Sequence, residues 1–178
     1  GKKNTHVGYQ AGSAITTGTK NVFLGHHAGK AITTGAENIA IGSLAGDAMT
    51  DSGRNVLIGY EAGTEINNST ADGMVAVGYQ AAYQLTTASD SIAIGFRALR
   101  LHTTGGANIA IGYGAMDATN AGSTSLGSTN NIFIGKDAGG GTWTNLASNY
   151  NVGVGNYVLD AALSGSLGNT AMGHQALT

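Results

Sequence analysis

Asn38–Gly46 reads NIAIGSLAG, and the same nine-residue phrase returns as NVFLGHHAG at Asn21–Gly29, NVLIGYEAG at Asn55–Gly63 and NIAIGYGAM at Asn108–Met116. Its central glycine falls at Gly8, Gly25, Gly42, Gly59, Gly78, Gly95, Gly112, Gly135, Gly155 and Gly173, at intervals of 17, 17, 17, 19, 17, 17, 23, 20 and 18 residues. So short a period leaves room for one structural layer per repeat. It predicts an all-β fold, a parallel β-solenoid of about ten coils. The repeats run from the first residues to the last, so residues 1–178 are expected to form a single repeat domain, a fragment of a longer fibrous protein.

Positions counted from the central glycine show what one repeat is. Position −3 is Val or Ile in eight copies, and position −1 is always apolar, from Val7 to Met172. A short apolar run ending at glycine reads as a β-strand. Because side chains alternate, −3 and −1 share a face; we expect them to fill the coil. Position −2 points the other way yet is also apolar or small: Phe23, Ala40, Leu57, Ala76, Ala93, Ala110, Phe133, Gly153 and Ala171. A strand apolar on both faces is usually buried on both. One coil has one interior, so the second face predicts a partner chain. The bland alternative is a surface that tolerates small residues.

Position −4 is asparagine in eight copies, including Asn21, Asn38, Asn55, Asn108 and Asn131. Stacked in register, these side chains are expected to form an amide ladder or to act as turn residues before the strand. Gly25, Gly42, Gly59, Gly95 and Gly112 carry the structural role of the repeat's centre. Alanine recurs at +3, which suggests a corner with room for one methyl. A second apolar-threonine segment, as in Ala31-Ile32-Thr33-Thr34-Gly35, reads as a second short strand.

Composition narrows the function. Lys+Arg number 8 and Asp+Glu 10 in 178 residues, for a net charge of −2, so no basic patch for nucleic acid stands out. Without cysteine there is neither a disulfide framework nor a thiolate metal site. Proline is also absent, which suits stacked strands. No apolar run reaches the roughly 18 residues of a membrane helix. No nucleophile elbow, recurring carboxylate pair or nucleotide-binding loop is evident. We therefore expect no enzyme, no cofactor and no metal.

Binding residues are sought on ladders of equivalent positions and where the repeat breaks. Position +1 reads Tyr9, His26, Ser43, Tyr60, Tyr79, Phe96, Tyr113, Lys136, Asn156 and His174. Tyr60, Tyr79 and Tyr113 are candidates for stacking on sugar rings; the alternative is that these rings cover a corner or a seam between chains. The irregular segments Asp117–Asn130 and Gly139–Tyr150 add Trp143, Tyr150 and Tyr157 as candidate contacts, with Trp143 alternatively capping the core beneath a loop. Glu65–Gly73 is a smaller insertion. His26-His27 is a poor chelate within one layer, because adjacent strand side chains point apart.

The repeats resemble those in the head domains of trimeric autotransporter adhesins and the shafts of bacteriophage tail fibres. The likeness rests on Ile39-Ala40-Ile41-Gly42, Ile92-Ala93-Ile94-Gly95 and Ile109-Ala110-Ile111-Gly112, and on Val77-Gly78-Tyr79-Gln80-Ala81 and Asn169-Thr170-Ala171-Met172-Gly173. It implies a left-handed β-roll, three rolls around a common axis as a homotrimer, and an extracellular adhesive or structural role: a stiff shaft touching a cell-surface glycan or protein receptor. A self-assembling extracellular filament is the alternative. Ice binding by the Thr-Thr ranks at 16–17, 33–34, 86–87 and 103–104 is a further one.

Overall fold

A computed structural model describes residues 3–66, 71–119, 127–144, 146–161 and 163–178. Ten three-residue strands, one per repeat, form a single parallel sheet in sequence order. They are β1 (Thr5–Val7), β2 (Val22–Leu24), β3 (Ile39–Ile41), β4 (Val56–Ile58), β5 (Val75–Val77), β6 (Ile92–Ile94), β7 (Ile109–Ile111), β8 (Ile132–Ile134), β9 (Val152–Val154) and β10 (Thr170–Met172). Equivalent residues stack on one another: Ile39 pairs Val56, Ala40 pairs Leu57 and Ile41 pairs Ile58, and this register holds across the insertions. The chain is therefore a β-solenoid of about nine turns, as the repeat spacing predicted.

Strand length is limited by backbone conformation. The central glycines have φ of +121° to +141°, a region closed to side chains. A Cβ built on Gly59 would lie 2.3 Å from the Gly78 carbonyl oxygen, and one on Gly112 would lie 2.2 Å from that of Gly135. Position +2 is left-handed in most coils even without glycine, as at Glu61 (φ 54°) and Arg97 (φ 57°). So is position −5, as at Lys20 (φ 59°) and Arg54 (φ 59°). These three corners bend each coil closed. They also overturn the second strand expected in the apolar-threonine segment: it stays irregular, although it bonds from coil to coil through Thr33 N–H to the Thr50 carbonyl at 2.8 Å.

The interior differs from the one expected. Position −2 points inward, and Phe23, Ala40, Leu57, Ala76, Ala93, Ala110 and Phe133 are wholly buried. The −3 and −1 residues point outward; Leu24 is 46% exposed and Ile39 37%. The reason is packing inside the coil. Four columns converge in its core: position −2, the +3 alanines, a third running through Ile32, Met49, Ile66, Leu85 and His102, and a fourth at +4 that holds Ala82, Leu99 and Met116 between glycine-bearing coils. They do not all carry large side chains in one coil. Where −2 is large, glycine makes room: a Cβ on Gly29 would lie 2.7 Å from the Phe23 ring, and one on Gly153 would lie 2.7 Å from Phe133.

The asparagine ladder forms. Asn21, Asn38, Asn55, Asn108, Asn131 and Asn151 are fully buried. Each Oδ1 accepts the backbone N–H of the equivalent residue one coil on, as from Asn38 (2.9 Å), Asn131 (3.0 Å) and Asn151 (3.0 Å). Nδ2 donates to a turn carbonyl at Asn21, Asn38, Asn108, Asn131 and Asn151, as to Gly35 from Asn21 and Ser148 from Asn131, whereas that of Asn55 donates to Met49 Sδ at 3.8 Å. Met74 lacks the acceptor but still donates its N–H to Asn55, and Ser91 Oγ accepts from Asn108 at 3.2 Å. The side chain thus satisfies strand-entry amides that no neighbouring backbone reaches.

Candidate functional site

Two surfaces follow from this fold, and both are built from columns. The first is the outward face of the sheet. Positions −3 and −1 present aliphatic side chains in every coil from β2 to β9, ending at Val7 below and Met172 above. With strands about 4.8 Å apart, this stripe is about 45 Å long and on the order of 450 Å² in area. That is the size of the largest apolar patch on a typical monomer, a patch that is often functional.

The second surface is the +1 column. Tyr60 stacks on Tyr79 with ring centroids 5.4 Å apart, Tyr79 on Phe96 at 5.1 Å, and Phe96 on Tyr113 at 4.9 Å. The planes lie within 7° to 13° of one another. Tyr9 stacks on His26 in the same way at 5.4 Å. Backbone bonds hold the column: Gln80 N–H donates to the Tyr60 carbonyl and Arg97 N–H to that of Tyr79, both at 2.9 Å. Tyr60 and Tyr113 remain 44% and 54% exposed. A sugar needs an open ring face, whereas rings this close cover one another's faces and present edges. The continuous ladder at Tyr60, Tyr79 and Tyr113 is therefore not, along its length, a row of sugar platforms.

Charged and polar groups run beside it at +2. Glu61 accepts from Gln80 Nε2 at 2.8 Å and from the Tyr60 hydroxyl, which pushes the Tyr60 phenol up. The Arg97 guanidinium lies 5.0 Å from the Phe96 centroid. Lys136 donates to the Tyr157 hydroxyl and lies over its ring, and that bond raises the lysine. The ladder is a polar margin of the aliphatic face rather than its centre.

Trp143 is a correction. It is fully buried, meets Phe133 edge-on at 5.8 Å and donates Nε1–H to the Gly139 carbonyl at 3.0 Å. It occupies the third interior column one residue later than in the regular coils, eight residues past Gly135 rather than seven. Burial removes it as a contact. Tyr150 is exposed and Tyr157 half-buried, and among the described residues no ring contact joins either to Trp143 or to the other. Residues 120–126 of the Asp117–Asn130 insertion and 67–70 of Glu65–Gly73 lie outside the described residues.

The histidine pair also departs from expectation. His27 has φ of 59°, which breaks strand alternation and brings the two rings to 3.9 Å instead of apart. Burial of its ring lowers the His27 pKa, with the neighbouring His26 and Lys30 acting in the same sense. Among the described residues no group of three His, Cys, Asp or Glu side chains could hold a metal ion. Thr16, Thr33 and Thr86 donate their hydroxyls to the next coil's carbonyl, bracing the stack.

His102 was not singled out by its type. It replaces the aliphatic residue of the third column, wholly buried, and burial lowers its pKa to about 4. Nε2–H donates to the Gly105 carbonyl at 2.8 Å, which leaves Nδ1 to accept from the Thr119 hydroxyl at 3.0 Å. Aligning the repeats seven residues past each glycine exposes the substitution: Ile15, Ile32, Met49, Ile66, Leu85, His102, Thr119.

No family model, curated protein or solved structure matches this chain.

Proposed function

We propose that this chain is a structural and adhesive fibre module, in which copies associate side by side through the aliphatic face of the sheet, as a homotrimer, to make a stiff extracellular shaft. A phage tail fibre or a bacterial surface adhesin is the setting that suits it, and the edges and loops of the shaft would meet a receptor. The observation that carries this reading is the outward stripe of Val, Ile and Leu, continuous over the sheet and repeated at the coil spacing. A partner that covers it along its length must present apolar side chains at the same interval, about 4.8 Å. Another copy of the chain has that surface by construction. The stacked hydrogen bonds and the buried asparagine ladder supply rigidity.

Sedimentation of the full chain, with an Ile58→Asp/Ile94→Asp variant beside it, tests this. The native chain is expected to have the mass of a discrete trimer. The variant is expected to be monomeric with an unchanged circular dichroism spectrum, since both residues point away from the core. A native monomer refutes lateral assembly, and an indefinite polymer favours the filament.

A further inference from the structure

The aromatic column is broken at a single coil between His26 and Tyr60. Rings occupy +1 at Tyr9 and His26, then at Tyr60, Tyr79, Phe96 and Tyr113, but the coil between holds Ser43. The backbone there is not displaced: Leu44 N–H donates to the His26 carbonyl at 2.9 Å and Glu61 N–H to that of Ser43 at 3.0 Å, as elsewhere in the column. His26 and Tyr60 therefore stand two coil steps apart, about 10 Å, with only a serine side chain between them.

The two inner faces are open to the gap. Tyr60 has Tyr79 on its far face. His26 lies over Tyr9 at 5.4 Å, and His27 lies 5.5 Å from Tyr9 and 3.9 Å from His26. His27 is thus stacked on the side of His26 that Tyr9 also occupies, and no ring contact among the described residues lies on the side of His26 that faces Ser43.

We infer that this slot between His26 and Tyr60, floored by Ser43, takes one neutral pyranose ring, a terminal or branch sugar of a surface glycan. A ring centred in the gap would lie about 5 Å from each flanking ring, the separation the column itself uses. A flat ring would also fit the slot at that separation, as the column's own rungs do, but the Ser43 hydroxyl at its floor favours a ring that carries hydroxyls. A puckered sugar with C–H groups on both faces fills it. The Ser43 hydroxyl at the floor of the slot offers a polar partner for sugar hydroxyls. The inference deepens the adhesive half of the proposed function and rests on it for the ligand class, but it does not require lateral assembly.

The test is saturation-transfer NMR on the full chain with the methyl pyranosides of glucose, galactose, mannose and N-acetylglucosamine, and with p-cresol as the flat-ring probe. At least one pyranoside is expected to bind in the millimolar range and to shift the His26 ring signals. Ser43→Tyr supplies the missing rung; it is expected to weaken binding more than about tenfold while the thermal midpoint holds or rises. Tyr60→Ala is expected to cause the same loss, whereas Tyr113→Ala, at the far end of the ladder, leaves binding intact. Saturation of none of the pyranosides, binding of p-cresol alone, or binding that survives both Ser43→Tyr and Tyr60→Ala overturns the inference. Mass measured on the same samples keeps the readings apart: a trimer that binds no sugar sinks the slot alone, and a monomer that binds it sinks assembly alone.

Discussion

Replacing Asn131 with alanine isolates what the buried amide ladder contributes. Asn131 Oδ1 accepts both the backbone N–H and Nδ2 of Asn151 at 3.0 Å, and its Nδ2 donates to Asn108 Oδ1 (3.0 Å), the Thr129 carbonyl (3.1 Å) and the Ser148 carbonyl (2.8 Å). The other members keep some partners after truncation. Asn108 Oδ1 retains the backbone N–H of residue 131, and Asn151 Nδ2 retains the Ser166 carbonyl. Two groups do not: the Asn151 amide loses its acceptor, and the Ser148 carbonyl loses its Nδ2 donor. A buried group left unsatisfied costs roughly 1–3 kcal/mol, so Asn131→Ala should cost roughly 2–6 kcal/mol. Asn131→Ser is the informative companion, because Ser91 already plays that part for the Asn108 amide. It should recover about half of the loss. Urea unfolding of the two variants gives the totals, and hydrogen exchange at the Asn151 amide reads the orphaned donor directly. If alanine costs less than about 1 kcal/mol, or serine and alanine are equivalent with Asn151 exchange unchanged, the ladder is not what satisfies these amides.

Two further outcomes follow from particular residues. Gly59→Ala combines a φ of +135° with a Cβ 2.3 Å from the Gly78 carbonyl oxygen; it should destabilise by more than about 3 kcal/mol in denaturant unfolding, against less than about 1 kcal/mol for Gly127→Ala, where φ is not left-handed and the added Cβ meets only Thr104 Oγ1 at 3.9 Å. His102 is held neutral with a folded pKa of about 4 against 6.5 unfolded, so the unfolded chain binds the extra proton. Stability should fall as pH drops from 6.5 to 4, by about 3 kcal/mol for this group, and be unaffected by it above pH 7. The pH dependence of unfolding for His102→Leu, subtracted from that of the native chain, should remove a step of that size; an unchanged profile refutes it.

Much of the fold was legible because a repeat constrains itself. The glycine spacing, the apolar run before it and the recurrent asparagine sufficed for stacked parallel strands, and the 19- and 23-residue intervals did not disturb the register. The candidate sites were less legible. Trp143 lay in an insertion, where a surface contact and a cap on the core beneath the loop were both open, and burial in an interior column decides for the core. The sugar reading of the tyrosines took exposure for availability, and the stacking of their faces moved that reading to the gap at Ser43. His26 and His27 come together because left-handed backbone at His27 cancels the alternation a strand would impose.

By itself the sequence determined the period, the strand positions, the glycine corners and the polar ladder, because each depends on local chemistry repeated at equivalent sites. Only the tertiary structure decided which strand face is inside. Alternation separates −2 from −3 and −1 but carries no sign, and both sets are apolar. Packing inside the coil supplies the sign: position −2 is Ala or Gly in six coils, and where it is Phe or Leu a glycine at +4 leaves the space, as Gly29 does for Phe23, Gly63 for Leu57 and Gly139 for Phe133. The larger β-branched residues are left outside, where they form the stripe that calls for a partner.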